Sequence, residues 1–276
     1  MQLTNWRTTA AILFSWALAN VLLYCGLEWS EASKLPAKHR PSRQALTLFE
    51  ASVSRIIGTG EEQQLVLSYR LMSPAKVQSG ERYPLVVFLH GAGQRGDDNE
   101  RQLLGLPEQM ADAEWRTGFP CFLLAPQCPT QSSWTSLDDE LIDLIGDVMK
   151  RQPIDPERVY LTGLSMGGFG CWTLAAREPD RFAAVVPICG GGDPKSAKRL
   201  IDVPIWAVHG DADKAVPVQS SREMIAAIRE VGGKPNYTEL PGVGHDSWTQ
   251  TYRDPNGVLK WMFEQQNRRV LRSADR

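Results

Sequence analysis

Val159-Tyr-Leu-Thr-Gly-Leu-Ser165-Met-Gly-Gly-Phe-Gly170 is the stretch on which the reading of this chain turns. It contains Gly163-x-Ser165-x-Gly167. Before it, Arg158 to Leu161 reads as a short buried strand; after it, Phe169 to Arg177 reads as a helix that ends before Pro179. A strand, a sharp turn at a serine and a helix are the parts of a nucleophile elbow. Glycine at 163 and 167 leaves room where the two backbones nearly touch, and the serine takes the strained position at the tip. The N–H of Met166, at the helix start, points at any oxyanion that forms there. The same pattern also occurs as a plain strand-to-helix turn. Chemistry requires context: an oxyanion loop upstream, then an acid and a histidine downstream, in that order. All three are present.

Upstream, Pro84-Leu-Val-Val-Phe-Leu89 is a continuous apolar run, the mark of a strand buried on both faces of a parallel sheet. It runs into His90-Gly-Ala-Gly93-Gln-Arg-Gly96, where glycines let backbone approach a substrate and the N–H of Ala92 is the candidate second oxyanion donor. His90 is read as a residue that hydrogen-bonds this loop rather than as a base. Downstream, Pro204 to Val208 is a strand that delivers His209-Gly-Asp211-Ala-Asp213, and Pro235 to Leu240 is a strand that delivers Pro241-Gly-Val-Gly-His245. A serine hydroxyl is a weak nucleophile until a base takes its proton. An imidazole does so near neutral pH, and a carboxylate fixes its tautomer and stabilises the imidazolium. The candidates are Ser165, Asp213 and His245, each on a loop just past a strand, so that all three converge at one sheet edge. Asp213, followed by Val216-Pro217, fits the acid position, while Asp211 fits a turn-stabilising role. Of the four histidines, His39 lies in a polar linker, and His90 and His209 each precede a glycine at a strand end.

The remaining runs fill in an α/β pattern. Leu46 to Ile57 and Gln64 to Met72 alternate like antiparallel edge strands. Cys121 to Ala125 and Phe182 to Ile188 read as buried strands. Helices are expected over Glu100–Ala113, over Asp138–Lys150 with Ser136 as N-cap, over Gln219–Val231, and from Pro255 to about Arg269. Strands alternating with helices mean a mostly parallel central sheet of about eight strands, the first two antiparallel, with helices on both faces.

With 276 residues, 42% hydrophobic and 22% charged, the composition is that of a globular protein, and the net charge of −2 gives no reason to expect nucleic acid. Arg7 followed by the apolar run Ala10 to Leu27 reads as a signal peptide or N-terminal membrane anchor over 1–32, which would place the catalytic part in the periplasm, outside the cell or tethered at a membrane through residues 10–27. A linker over 33–44, a catalytic domain over 45–270 and a polar tail over 271–276 follow. Cys121 and Cys128 bracket a strand end and a turn, where pairing is open to them in an exported compartment. Cys171 and Cys189 read as small buried hydrophobes. No Cys-x-x-Cys pair or His/Cys cluster suggests a metal.

LHGAGQRG, GLSMGGFG, HGDADKAVP and GVGHDSW stand in this order between Pro84 and Lys260. On these motifs the chain resembles α/β-hydrolases of the phospholipase/carboxylesterase and polyhydroxybutyrate-depolymerase-like esterase group. The resemblance implies hydrolysis of carboxylic esters through an acyl-enzyme, with no cofactor and no metal. The hydrophobic leader departs from the cytosolic thioesterase-like members. Only Gly190 to Asp202 separates two central strands, too little for a helical lid, so an open site is expected, suited to short-acyl or polymer-linked esters. Trp134 and Trp248 are candidates for its walls, with ordinary packing as the alternative for each. A serine peptidase with the same triad, and a non-catalytic binding module, are the competing readings.

Overall fold

The computed structural model describes residues 40–57 and 64–267. The leader over 1–32, the linker as far as residue 39 with its His39, and the polar tail lie outside the described residues. Among those described, the elements are α1 (Arg43–Leu48), β1 (Phe49–Ile57), β2 (Gln64–Met72), β3 (Tyr83–Leu89), α2 (Leu106–Met110), α3 (Ala113–Gly118), β4 (Phe122–Pro126), α4 (Asp138–Arg151), β5 (Ile154–Leu164), α5 (Met166–Arg177), β6 (Ala184–Ile188), β7 (Trp206–Gly210), α6 (Gln219–Glu230), β8 (Asn236–Leu240), α7 (Trp248–Arg253) and α8 (Val258–Phe263). The strands form one eight-stranded sheet in the order β1-β2-β4-β3-β5-β6-β7-β8. β2 is antiparallel to both its neighbours, and every other pairing is parallel. This is the mostly parallel α/β sheet that the strand runs predict, with the reversal confined to β2.

β3 shows why its run is apolar without interruption. Leu85, Val87 and Leu89 belong to the core on one side of the sheet, and Val86 and Phe88 to the core on the other. β4 divides in the same way, with Phe122 and Leu124 on one side and Leu123 and Ala125 on the other. On the first side lie α4, through Leu141, Leu144, Ile145 and Val148, together with α5 and α6. On the second lie α1, α2 and α8. The four buried side chains of α4 recur at helical spacing. Each stabilises by about 1.5–3 kcal/mol relative to exposure, enough to hold the helix against the sheet.

Several boundaries differ from the sequence reading. Leu46 does not open a strand: Ser42 Oγ accepts the N–H of Ala45 at 3.2 Å and caps α1, so β1 begins only at Phe49. The helix expected over Glu100–Ala113 is broken into a 3-10 turn at Arg101–Leu103 and the short α2, because Gly105 takes φ +91 between them. Ser136 does not cap α4; it closes a reciprocal box with Ser133 around the 3-10 turn Trp134–Ser136. The terminal helix is short, since the Asp254-Pro255 turn, in which Asp254 Oδ1 accepts the N–H of Asn256 at 3.0 Å, delays its start to Val258. α7 precedes it and was not foreseen.

Candidate active site

Four strand ends, those of β3, β5, β7 and β8, deliver the site to one edge of the sheet. The elbow is the tightest of them. Ser165 has φ 52 and ψ −117, a conformation L-residues avoid. Two things enforce it. The Ser165 N–H is shared between Ile188 O at 2.9 Å and Cys189 Sγ at 3.3 Å, at the end of β6. Behind it, α5 is pressed so closely on β3 that a Cβ at Gly167 would stand 1.8 Å from Leu89 O. Only glycine permits that approach, and the approach is what turns the serine outward.

Ser165, Asp213 and His245 meet. His245 Nε2 is 2.9 Å from Ser165 Oγ, and His245 Nδ1 is 2.7 Å from Asp213 Oδ2. The carboxylate accepts at Nδ1, so Nδ1 carries a proton and Nε2 faces the hydroxyl as an acceptor. The loop bearing His245 reaches Asp213 because Gly210 ends β7 without a side chain; a Cβ there would lie 2.2 Å from Val243 O. The Asp213 side chain is fully buried. Burial alone would push its carboxyl up, but hydrogen bonds from His209, His245 and the Val216 N–H outweigh it and hold the group well below the usual carboxylate range. Its Oδ1 accepts the N–H groups of Ala215 at 2.8 Å and Val216 at 3.0 Å. Asp211 holds the next turn: its Oδ1 accepts the Gly242 N–H at 2.6 Å, and it does not touch His245 Nδ1.

The candidate oxyanion donors stand at helix starts. Ala92 is the first residue of a 3-10 turn and Met166 the first of α5, positions whose N–H has no acceptor within the helix. His90 is fully buried beneath the first of these. Its Nε2 accepts the Cys128 N–H at 3.0 Å, which leaves Nδ1 to donate to Gly91 O at 2.6 Å. Burial disfavours its charged form and pulls it down to about 4, so it is neutral and serves as a clamp on the loop, not as a base.

Trp134 is corrected. It is buried beneath the loop, with Nε1 donating to His90 O at 2.8 Å and its ring edge-on to His90 at 4.9 Å. An indole used as a donor inside the core does not line a pocket. Trp248 is partly exposed and stands edge-on to His245, ring centres 5.4 Å apart.

The cysteines settle the pairing left open above, and Cys171 and Cys189 are buried as expected. Cys121, Cys128, Cys171 and Cys189 are all free and buried, so Cys121 and Cys128 are not paired. Cys189 is more than filler. At φ 41 it directly follows β6, and its sulfur takes part of the elbow N–H. Cys189, Asp213 and His245 offer ligand atoms within 4.8 Å of one another. The fit to a metal is poor: burial pushes the thiol up to about 12, and Asp213 Oδ2 and His245 Nδ1 already bond each other. Burial and that raised pKa also leave Cys189 inert as a nucleophile, while the imidazole Nε2 is directed at Ser165 Oγ. Beyond Cys189, the sequence reading passed over Gln127, which ties the loop after β3 through Gln94 O at 3.1 Å and Asp98 Oδ1 at 2.9 Å. It also missed the bond between His209 and Asp213. Gln127 follows a strand and a proline as a bare polar residue, and no spacing marks it.

Comparison with known proteins follows the same lines. Residues 84–200 match the family model of the alpha/beta hydrolase fold. The chain is 38% identical to a thermostable esterase of known structure, with a TM-score of 0.74, over 80% of this chain and 64% of that one. It is 27% identical over 213 residues to the putative esterase NocK of Nocardia uniformis subsp. tsuyamanensis, covering 72% of this chain and 58% of that protein. It is 32% identical over 152 residues to the bifunctional acetylxylan esterase/xylanase XynS20E of Neocallimastix patriciarum, covering 53% of this chain and 22% of that one. The chain thus spans less than two thirds of each of these relatives. The acylaminoacyl peptidase of Pyrococcus horikoshii, at 16% identity and a TM-score of 0.58, shares the fold.

Proposed function

We propose that this chain, which belongs to the α/β hydrolases of the esterase group, is a serine carboxylic-ester hydrolase working through Ser165, His245 and Asp213. The observation that carries the reading is the unbroken hydrogen-bond line from Ser165 Oγ through both nitrogens of His245 to the buried Asp213. His245 Nε2 takes the hydroxyl proton as Oγ attacks the ester carbonyl. Asp213, kept ionised by its donors, stabilises the imidazolium so formed. The carbonyl oxygen becomes an oxyanion facing the Ala92 and Met166 N–H groups, whose charge stabilisation is available before the reaction starts. Collapse expels the alcohol, which takes the proton from His245 and leaves an acyl-serine. Water, deprotonated by the same imidazole, then releases the acid and restores Oγ–H.

Short-acyl or polymer-linked esters suit the surroundings. The segment between β6 and β7 holds one 3-10 turn, Pro194–Arg199, and no helical lid. An uncovered Ser165 accepts an ester displayed on a bulky alcohol and offers little apolar cover to a long acyl chain. The test is labelling by a fluorophosphonate probe together with turnover of 4-nitrophenyl acetate, butyrate and laurate, and of a peptide anilide beside its matching ester. Labelling at Ser165 with acetate or butyrate preferred supports the reading, and Ser165→Ala is expected to lower kcat by about 10⁴-fold or more. Anilide turnover equal to that of the ester would move the assignment to a peptidase. Full turnover by Ser165→Ala would overturn the nucleophile.

A further inference from the structure

The Gln94 side chain is polar and half-buried, and the reaction above does not use it. Gly91 shows where it lies. A Cβ built on Gly91 would stand 2.9 Å from Leu164 Cδ1 and 3.3 Å from the Gln94 carboxamide. Gly91 directly precedes the candidate oxyanion donor Ala92, and Leu164 directly precedes Ser165. A polar amide and an apolar leucine therefore sit side by side next to the turn that faces the ester carbonyl.

The fold does not use the amide. The loop after β3 is held through its main chain: by the His90 ring on Gly91 O at 2.6 Å, by Gln127 Nε2 on Gln94 O at 3.1 Å, and by the Gly96 N–H on Cys128 O at 3.0 Å. Among the described residues the Gln94 carboxamide has no hydrogen-bond partner. It is uncharged, so it offers an anion no charge. It carries an acceptor oxygen and an NH₂ donor. A hydroxyl both donates and accepts, so it matches the amide whichever way the amide is turned.

We propose that Gln94 is a specificity-determining residue whose carboxamide hydrogen-bonds a substrate hydroxyl within a carbon or two of the ester. The chain then favours esters of polyols or of hydroxy acids over plain alkyl esters of the same size. An alkyl group drawn against the amide strips its water and leaves it unpaired, whereas a hydroxyl takes the water's place. This inference rests on the serine-esterase reading and narrows its substrate.

Two isosteric ester pairs test it, each exchanging a methyl for a hydroxyl. They are n-propyl acetate with 2-hydroxyethyl acetate for the alcohol side, and ethyl propionate with ethyl glycolate for the acyl side. The readout is the ratio of kcat/KM, hydroxylated to plain, in the wild type and in Gln94→Met, which keeps the chain length and removes the amide. Intrinsic reactivity is common to both proteins and cancels. The ratio is expected to fall about fivefold in Gln94→Met for at least one pair, and the pair affected tells which side of the ester carries the hydroxyl. Ratios unchanged in both pairs would overturn the proposal even if both members slowed together, since a loop prop or an added oxyanion donor acts on both alike. Should Gln94→Met fail to fold, the wild-type ratios are divided by those for hydroxide-catalysed hydrolysis, and quotients of about one in both pairs refute it equally. Turnover of 4-nitrophenyl acetate and fluorophosphonate labelling are the separate check. Their absence removes the esterase reading and the subsite together; their presence with unchanged ratios removes the subsite alone.

Discussion

His90 makes acid sensitivity a property of the loop after β3. The ring accepts the Cys128 N–H and donates to Gly91 O in a fully buried position, and burial lowers it from an ordinary 6.5 to about 4. The unfolded chain therefore takes up this proton near pH 6.5, while the folded chain resists it until about pH 4. Between those limits the unfolded state holds more protons, so stability falls as pH falls. For a single site the loss is about 2 kcal/mol between pH 7 and pH 5 and approaches about 3 kcal/mol below pH 4. The clean window is pH 7 to 5, above the range in which the depressed carboxyls of Asp98 and Asp213 take up protons. His90→Gln supplies the perturbation, since an amide can still accept from Cys128 but does not titrate. Urea unfolding of both proteins at pH 7 and pH 5 gives the double difference. The wild type is expected to lose about 2 kcal/mol more than the variant over this interval. Equal losses would refute the neutral, buried assignment of His90.

Three further outcomes follow from the same geometry. Trp134→Phe removes the donor to His90 O and leaves a buried carbonyl unpaired, which should cost about 1–3 kcal/mol and lower Tm by several degrees; an unchanged Tm would count against the clamp. Trp248→Ala should raise KM for aryl esters several-fold with a smaller loss of Tm than Trp134→Phe, because Trp248 is partly exposed beside His245; a folding defect with wild-type KM would return it to ordinary packing. Alkylation without reductant, read by peptide mass spectrometry, should modify Cys121, Cys128, Cys171 and Cys189 fully in denaturant and very slowly in native protein at pH 8, because burial raises all four thiols. A linked Cys121–Cys128 peptide would contradict the free state.

The sheet and the candidate residues at its edge are legible in the chain's local pattern. Runs such as Pro84–Leu89 have to be buried on both faces, and a residue that directly follows such a strand has to emerge at its end. That local rule alone carries Ser165, Asp213, His245 and Ala92 to one edge. How side chains from separate elements satisfy one another emerges only from packing. Trp134 and Trp248 are alike in sequence, each an aromatic on a loop near the edge. One faces His90 and donates into the core, the other faces His245 and solvent. Cys189 looks like a spare apolar residue until the end of β6 is set beside the elbow. His209 reads as a plain strand-end residue until the turn after β7 brings Asp213 Oδ2 within 3.2 Å of its Nε2. A strand's period is written in adjacent residues, whereas a hydrogen bond between distant ones exists only after packing has fixed both its ends.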